Sequence, residues 1–217
     1  MEEIMDICVK PLSPCCLASG GADVNLDTDI IHDKWGMPFF PGRRLRGLLY
    51  ESALEVAEMM ELSGLDSVKR EDVEEIFGHG DSPVQLIIHD LYLPQYEEMT
   101  KEWEYLQNKY KGMLSPDDVL DVYTSLRSQT AIAENGIARD HSLRTIRVLD
   151  TGEDVCFVGS ISMKNGTQKH QNIIIMAMQN LSYAGLNRNR GFGEIRCSLL
   201  DYNKQQNMVR KILGVNE

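Results

Sequence analysis

The sequence has few cysteines, and their spacing would not build a cross-linked or metal-bound core. The chain of 217 residues contains five cysteines, an odd number, and none of them forms a Cys-x-x-Cys pair. Disulfide frameworks use even numbers of cysteines, and common zinc sites use closely spaced pairs. The composition therefore argues against both, and we expect reduced, structural thiols.

Long apolar runs are also missing. No stretch of roughly 18 or more apolar residues occurs, and residues 1–4 are acidic where a secretory signal would be basic. These absences predict a soluble, cytoplasmic protein with no membrane partner. The motif Gly-x-x-x-x-Gly-Lys is absent, as is Gly-x-Gly-x-x-Gly after a strand, so a small-molecule phosphate-binding enzyme ranks last among the functions considered.

Negative charge dominates the composition but is confined to one part of the chain. Of the net charge of −11, residues 51–121 contribute 18 acidic and 5 basic residues, a net of −13, and the remainder carries 15 and 17, a net of +2. Nine of the twelve arginines lie in three short windows, residues 43–46, 139–147 and 188–196. Arginines paired with an acidic surface are the ordinary interpretation, but three clusters beside glycine or proline favour an anionic ligand.

Hydrophobic periodicity predicts one domain, spanning 1–217, of the α+β class. Strands are predicted at 4–12, 84–93, 154–163 and 194–200, and helices at 43–60, 64–77, 168–183 and 202–215. Charged helical segments at 96–111 and 116–125 are interpreted as an acidic insertion over 95–126, and a turn signal at 134–136 predicts a projecting two-stranded arm over 127–150. This order is that of a ferredoxin-like (RRM-like) βαββαβ domain with a helical insertion and a β-hairpin thumb.

Two glycine-containing segments have the composition of phosphate contacts. The loop 185–193 combines closely spaced glycines with two arginines, although a solvated β-turn would use the same residues. Residues 36–42 lead into the helix predicted at 43–60, whose N-terminus would attract phosphate, although Pro38 and Pro41 would also suit a tight connection. Stacking aromatics on the inner strands are not evident, so RNA binding would come from loops and the arm.

Three segments of the chain resemble the RAMP superfamily of CRISPR-Cas proteins: residues 36–47, residues 128–145 and the loop 185–193. The first is similar to the Pro-x-x-Pro-Gly-x-x-Leu-Lys-Gly element of repeat-RNA-binding backbone subunits in type III effectors, with Arg46 at the lysine position. Arg43 and Arg44 replace the more usual small residues, which looks closest to the III-D branch or its type VII relatives.

The resemblance implies a backbone subunit of an antiviral effector ribonucleoprotein that holds a CRISPR RNA. Its partners would be that RNA, the complementary target RNA and other CRISPR-Cas effector subunits, and its RNA affinity would be mostly ionic. The implied RNA-binding residues are Gly42, Arg43, Arg44, Arg46, Arg139, Arg144, Arg147, Asn187, Arg188, Asn189, Arg190, Gly191, Phe192 and Gly193.

Residues 27–33 resemble the loop in which type III backbone subunits carry a cleaving aspartate, and Asp27 falls on that position. The resemblance implies that Asp27, with Asp29 as a further candidate ligand, orients a hydrated Mg²⁺ or the attacking 2′-hydroxyl, which would make the subunit a Mg²⁺-dependent endoribonuclease on guide-paired target RNA. His32 is a candidate general base, although a hydrogen-bonded surface histidine is the ordinary interpretation. The aspartates would serve equally well as a turn and its caps.

Two alternative functions remain open at this point. One is a non-catalytic cap subunit that binds the 5′ tag of the CRISPR RNA, which the acidic insertion favours because repeated copies would stack like charge. The other is a stand-alone metal-dependent endoribonuclease that processes precursor RNA without partners.

Overall fold

Four of the described strands form one antiparallel sheet. The computed structural model describes residues 2–21, 26–65, 67–78, 82–152 and 155–214. Strands β1 (Glu2–Pro11), β2 (Gln85–Ile88), β5 (Phe157–Lys164) and β6 (Ile195–Leu199) pair in the order β2-β5-β1-β6. Strands β3 (Thr124–Gln129) and β4 (Arg144–Leu149) pair separately as an antiparallel hairpin.

Helices connect successive strands of the sheet. Helix α1 (Gly42–Leu62) connects β1 to β2, with α2 (Arg70–Phe77) following it, and α5 (Gln168–Asn180) connects β5 to β6. Helices α3 (Tyr96–Lys109) and α4 (Pro116–Tyr123) lie between β2 and β3, and α6 (Tyr202–Ile212) follows β6. Two β-α-β units around one antiparallel sheet confirm the predicted ferredoxin-like α+β fold.

The core lies between the sheet and helices α1 and α5. Apolar residues recur along α1 at Leu45, Leu49, Ala53 and Val56, which is the spacing of one helix face, and all of them are buried. They pack in one cluster with inward residues of the sheet such as Phe157. By contrast, α3 buries none of its residues. None of the described helices is both long and apolar enough to cross a membrane.

Several element boundaries differ from the predicted ones. Helix α2 begins at Arg70 instead of residue 64, because Gly64 adopts a φ of 70° beyond the end of α1 and Asp72 caps the backbone N–H of Lys69. The regular pairing of β2 with β5 ends at Ile88, and beyond it Leu91 pairs with Phe40 while Tyr92 pairs with Val158 of β5.

The ends of two later elements also differ. Helix α5 ends at Asn180 instead of residue 183, since the Ser182 carbonyl accepts a hydrogen bond from Ile195 N–H and Tyr183 pairs with Glu194. The predicted strand start at 154 and helix end at 215 lie outside the described residues.

Candidate nucleic-acid interface

Three segments that are distant in sequence meet at one open cleft of about 1010 Å³. They are the loop that contains Asp27, the β3–β4 hairpin and the glycine-rich loop 185–193. The residues that line it are Asp27, Thr28, Gln129, Thr130, Ala131, Arg139, Asp140, His141, Ser142, Arg144, Ile146, Leu186, Asn187 and Arg190.

The glycine-rich loop is held in place by backbone hydrogen bonds to the chain after β1. Leu186 N–H donates to the Cys16 carbonyl at 3.0 Å, and Gly193 N–H donates to the Pro14 carbonyl at 2.8 Å. Gly193 has a φ of 78°, and a Cβ there would lie 2.1 Å from the Ala184 carbonyl oxygen, so only glycine fits. Burial raises the pKa of Cys15, beneath the loop, to about 12.

A single 3₁₀ turn, Arg188–Arg190, presents the arginines of this loop. It lies between two residues in the left-handed region, Asn187 at φ 58° and Gly191 at φ 78°. Arg190 and Asn187 line the cleft, and Arg188 and Asn189 are exposed outside its lining. Phe192 is half-buried against the core, so packing accounts for this aromatic side chain.

Asp27 is fixed to β4 of the hairpin by a reciprocal pair of hydrogen bonds. Its backbone N–H donates to the Thr145 carbonyl at 2.9 Å, and its Oδ2 accepts from Thr145 N–H at 2.7 Å. The Arg147 N–H donates to the Thr28 carbonyl at 2.9 Å, which continues the attachment. The Asp27 carboxylate is therefore oriented by β4 while it remains exposed at the cleft.

Arg139 and Arg144 complete the cationic part of the cleft. Both lie on the hairpin and are exposed, as is Arg190 on the opposite loop. Guanidinium groups bind phosphate oxygens bidentately, and the three of them line one open groove. Asn187, Gln129 and Thr130 add neutral hydrogen-bonding groups.

Arg147 is occupied by contacts within the protein. Its Nη1 donates to Asp121 and, at 3.0 Å, to Thr124 Oγ1. Its Nε lies 3.1 Å from Asp29 Oδ1, an ion-pair distance without the alignment of a hydrogen bond. Its side chain is 13% exposed, so Arg147 fastens the hairpin to the body and is not part of the cleft lining.

The arginines of α1 also bond to the protein. Arg46 donates from Nη1 to the Leu86 carbonyl at 2.8 Å and from Nη2 to the Phe77 carbonyl at 3.0 Å, and burial lowers its pKa. Arg44 donates to the Ala18 carbonyl at 2.8 Å, whereas Arg43 is exposed.

The N-terminus of α1 is capped by a carboxylate of the protein. Gly42 N–H donates to Asp90 Oδ1 at 2.7 Å, and a Cβ on Gly42 would lie 2.2 Å from the Ile88 carbonyl oxygen. A phosphate at this helix end would meet the charge of Asp90, so packing against β2 accounts for Gly42.

The remaining residues of the aspartate loop have structural partners. Asp29 Oδ1 accepts from Ile30 N–H at 2.8 Å in addition to pairing with Arg147. The Nδ1 of His32 lies 2.8 Å from the Asp33 carbonyl oxygen, and His32 does not line the cleft.

The cleft does not offer Mg²⁺ a complete set of protein ligands. In the part of the chain that the structure describes, no group of three or more His, Cys, Asp or Glu side chains could hold a metal ion. Asp29 is paired with Arg147, which leaves Asp27 and Asp140 as the carboxylates that line the cleft. One carboxylate is enough when a nucleic acid supplies the other oxygens, and a bound Mg²⁺ would then neutralise phosphate charge beside Asp27.

Sequence reasoning missed several residues of the cleft. Gln129, Thr130 and Ser142 line it, and so does His141, which has a φ of 56°. These residues lie within the resembling segment 128–145, and the polar run Asp140-His141-Ser142 is compatible with a turn, but neither signal identifies which of their side chains line a cleft.

Comparisons with known proteins agree with this architecture. A model of the RAMP superfamily matches residues 9–196. No curated protein matches the chain. A chain in the cryo-EM structure of the Type III-B Cmr-beta bound to cognate target RNA shares 11% identity at a TM-score of 0.62, with 95% of this chain and 99% of that chain covered.

A second chain, from the Type III-B Cmr-beta in its apo state, gives 9% identity and a TM-score of 0.61 over 91% of this chain and 97% of that chain. At such low identity the two structures establish the shared fold. The family match covers most of the sequence and includes the first two resembling segments and the glycine-rich loop. The chain therefore belongs to the RAMP superfamily, the CRISPR-Cas family that those segments resemble.

Proposed function

We propose that this protein is an RNA-binding backbone subunit of a type III CRISPR effector ribonucleoprotein and that its cleft holds RNA. The observation that carries the proposal is the convergence of Arg139, Arg144 and Arg190 with Asn187 on one open groove. Its partners would be a CRISPR RNA, a complementary target RNA and other effector subunits. Both structural neighbours are chains of Type III-B Cmr-beta complexes, one of them bound to target RNA, and this likeness supports the assignment.

The RNA path that we propose is narrower than the one the sequence implies. It includes the three cleft arginines and excludes Arg46 and Arg147, because a guanidinium that already bonds to carbonyl or carboxylate oxygens would lose those bonds on turning to RNA. Arg43 and Arg188 are exposed outside the cleft and remain available to a second stretch of RNA.

The test is to purify the subunit with the products of neighbouring genes, sequence the bound RNA and weigh the complex by native mass spectrometry. Several copies on one repeat-derived RNA support a backbone subunit. A single copy at the 5′ end of the RNA would make the protein a cap subunit. Recovery of the complex without RNA would refute the proposal.

One observation favours the cap alternative. Helix α3 has no buried residue and carries four glutamates, Glu97, Glu98, Glu102 and Glu104, all of which are exposed. In a row of identical subunits this acidic helix would repeat at every copy, and the repulsion between copies would need neutralising partners. The copy number measured by mass spectrometry decides between the two.

We further propose that Asp27 takes part in cleavage of the target RNA. A carboxylate that Thr145 N–H orients at the edge of a cationic groove could accept the proton of a 2′-hydroxyl. The informative variant is Asp27→Asn, which keeps an acceptor oxygen for Thr145 and removes the charge. We expect this variant to bind guide RNA as the wild type does and to lose cleavage; cleavage at the wild-type rate would refute the role of Asp27.

A further inference from the structure

His141 occupies a backbone conformation that disfavours most side chains. Residues 139–142 form a turn in which Ser142 N–H donates to the Arg139 carbonyl at 3.3 Å, and His141, the third residue, has a φ of 56°. Glycine or asparagine normally fills a turn position with positive φ. A titratable side chain in such a position is a reason to look for a function.

The turn is clamped to the opposite side of the hairpin by the hydroxyl of Ser142. Its Oγ lies 2.7 Å from Thr130 Oγ1, accepts from Ala131 N–H at 3.1 Å and is 2.7 Å from the Arg139 carbonyl oxygen. Arg139 N–H also donates to the Ala131 carbonyl at 2.8 Å. These bonds fix the backbone on both sides of His141.

The imidazole of His141 is exposed and lines the cleft that Asp27 also lines. Among the described residues it has no hydrogen bond or ion pair that would account for it as a structural side chain. His170 is the contrast, because it is buried, its Nδ1 accepts from Thr167 N–H, and its Nε2 lies 3.7 Å from Glu75. His141 is therefore free to act on a ligand in the cleft.

We propose that His141 is the general acid for RNA scission in this cleft, an inference that rests on the proposed RNA-binding and cleavage function. Asp27 accepts the proton of the 2′-hydroxyl, and the 2′-oxygen forms a bond to the adjacent phosphorus. The bond between phosphorus and the 5′-oxygen breaks, and the His141 imidazolium donates its proton to that oxygen. The products are a 2′,3′-cyclic phosphate and a 5′-hydroxyl, and solvent returns the proton from Asp27 to His141.

Charged side chains from three segments line the cleft together with His141. The groups that face it are Asp27 from its loop, Arg139, Asp140 and Arg144 from the hairpin, and Arg190 from the glycine-rich loop. The three guanidinium groups attract the phosphate, and the protonated imidazole of His141 supplies the proton that the leaving 5′-oxygen requires.

The test uses the purified ribonucleoprotein under single-turnover conditions with two target RNAs. One RNA is unmodified, and the other carries a 5′-bridging sulfur at the scissile linkage, where the leaving thiolate needs no proton. The variant is His141→Asn, since asparagine tolerates positive φ. The matched control is His89→Asn, because His89 is also exposed but does not line the cleft.

We expect His141→Asn to cleave the unmodified RNA about 100-fold more slowly, the usual contribution of a general acid, and to cleave the sulfur-containing RNA at nearly the wild-type rate. RNA affinity and the rates of the control variant stay unchanged. A purely structural role would slow both substrates alike, and that result would overturn the inference, as would equal rates for variant and wild type.

Two further outcomes separate this inference from the proposed function. A wild-type complex that binds RNA but does not cleave it overturns the role of His141 and leaves RNA binding intact. An Asp27→Asn complex that cleaves as fast as the wild type has the same consequence. A complex that contains no RNA overturns both.

Discussion

Replacement of Arg46 tests whether an arginine inside the resembling proline-glycine segment acts on RNA or on the fold. Its guanidinium joins three elements, because it extends from α1 to the Phe77 carbonyl at the C-terminus of α2 and to the Leu86 carbonyl of β2. It also lies over the Phe77 ring, with its central carbon 5.6 Å from the ring centroid. The terminal carbonyl of a helix has no partner within the helix, so Arg46 satisfies a group that would otherwise need water.

The contacts of Arg46 determine how much stability the substitution should remove. A hydrogen bond from a charged donor contributes about 1.5–3 kcal/mol, and Arg46 makes two such bonds at a site that is only half-buried. We therefore expect Arg46→Ala to lower the free energy of unfolding by about 3 kcal/mol. For a domain of this size that corresponds to a decrease in Tm of about 6–12 °C.

The assay is thermal and urea unfolding of the purified variants, followed by RNA affinity at several salt concentrations. Arg43→Ala is the matched control for stability, because Arg43 lies slightly earlier on α1 and is exposed. Arg46→Lys should recover little stability, since one ammonium group does not reproduce the planar fork that reaches both carbonyls. If Arg46→Ala keeps the wild-type Tm and instead lowers the salt dependence of RNA binding, the structural assignment of Arg46 is wrong.

The remaining predictions concern the RNA path, the glycine-rich loop and the thiols. Arg190→Ala should reduce the slope of log K against log salt by roughly 0.7, the value for one phosphate of a single strand. Arg147→Ala should leave that slope unchanged and lower the Tm. Binding titrations that rank the two variants in the opposite order would contradict the proposed RNA path. Gly193→Ala should destabilise the protein far more than Gly191→Ala. Both glycines have a φ of 78°, but only a Cβ at Gly193 would clash with backbone. Equal urea midpoints for the two variants would argue against this conformation of the loop. Burial raises the pKa of Cys197 to about 12, so this thiol should resist alkylation in the native protein at neutral pH, and mass spectrometry that finds it rapidly modified would contradict its burial.

The order of the elements was predictable because it depends on local patterns. The spacing of Leu45, Leu49 and Val56 indicates a helix with one apolar face, and the observed helix buries that face. The boundaries were less predictable where a contact distant in sequence ends an element. The regular pairing of β2 ends at Ile88, and Leu91 then pairs with Phe40, which lies far earlier in the chain, so no local pattern reports this pairing.

The arginines show why the site could be predicted only in part. The sequence identifies three windows rich in arginine but not the partner of each side chain. Arg46 bonds to carbonyls 31 and 40 residues away, and Arg147 pairs with Asp29 across the fold. The cleft residues Arg144 and Arg190 occur in the same windows, so only the three-dimensional contacts separate structural arginines from exposed ones.

The net charge of −11 is compatible with RNA binding because the charges are segregated. Residues 51–121, with a net charge of −13, supply most of α1, α2, β2, α3 and most of α4, whereas the cleft combines three arginines with Asp27 and Asp140 for a net of +1. Added salt screens the attraction of RNA to the cleft and also its repulsion from the acidic helices, and the two effects oppose each other in the measured affinity. The absolute salt slope therefore underestimates the number of phosphate contacts, and the difference in slope between a variant and the wild type is the quantity that counts them.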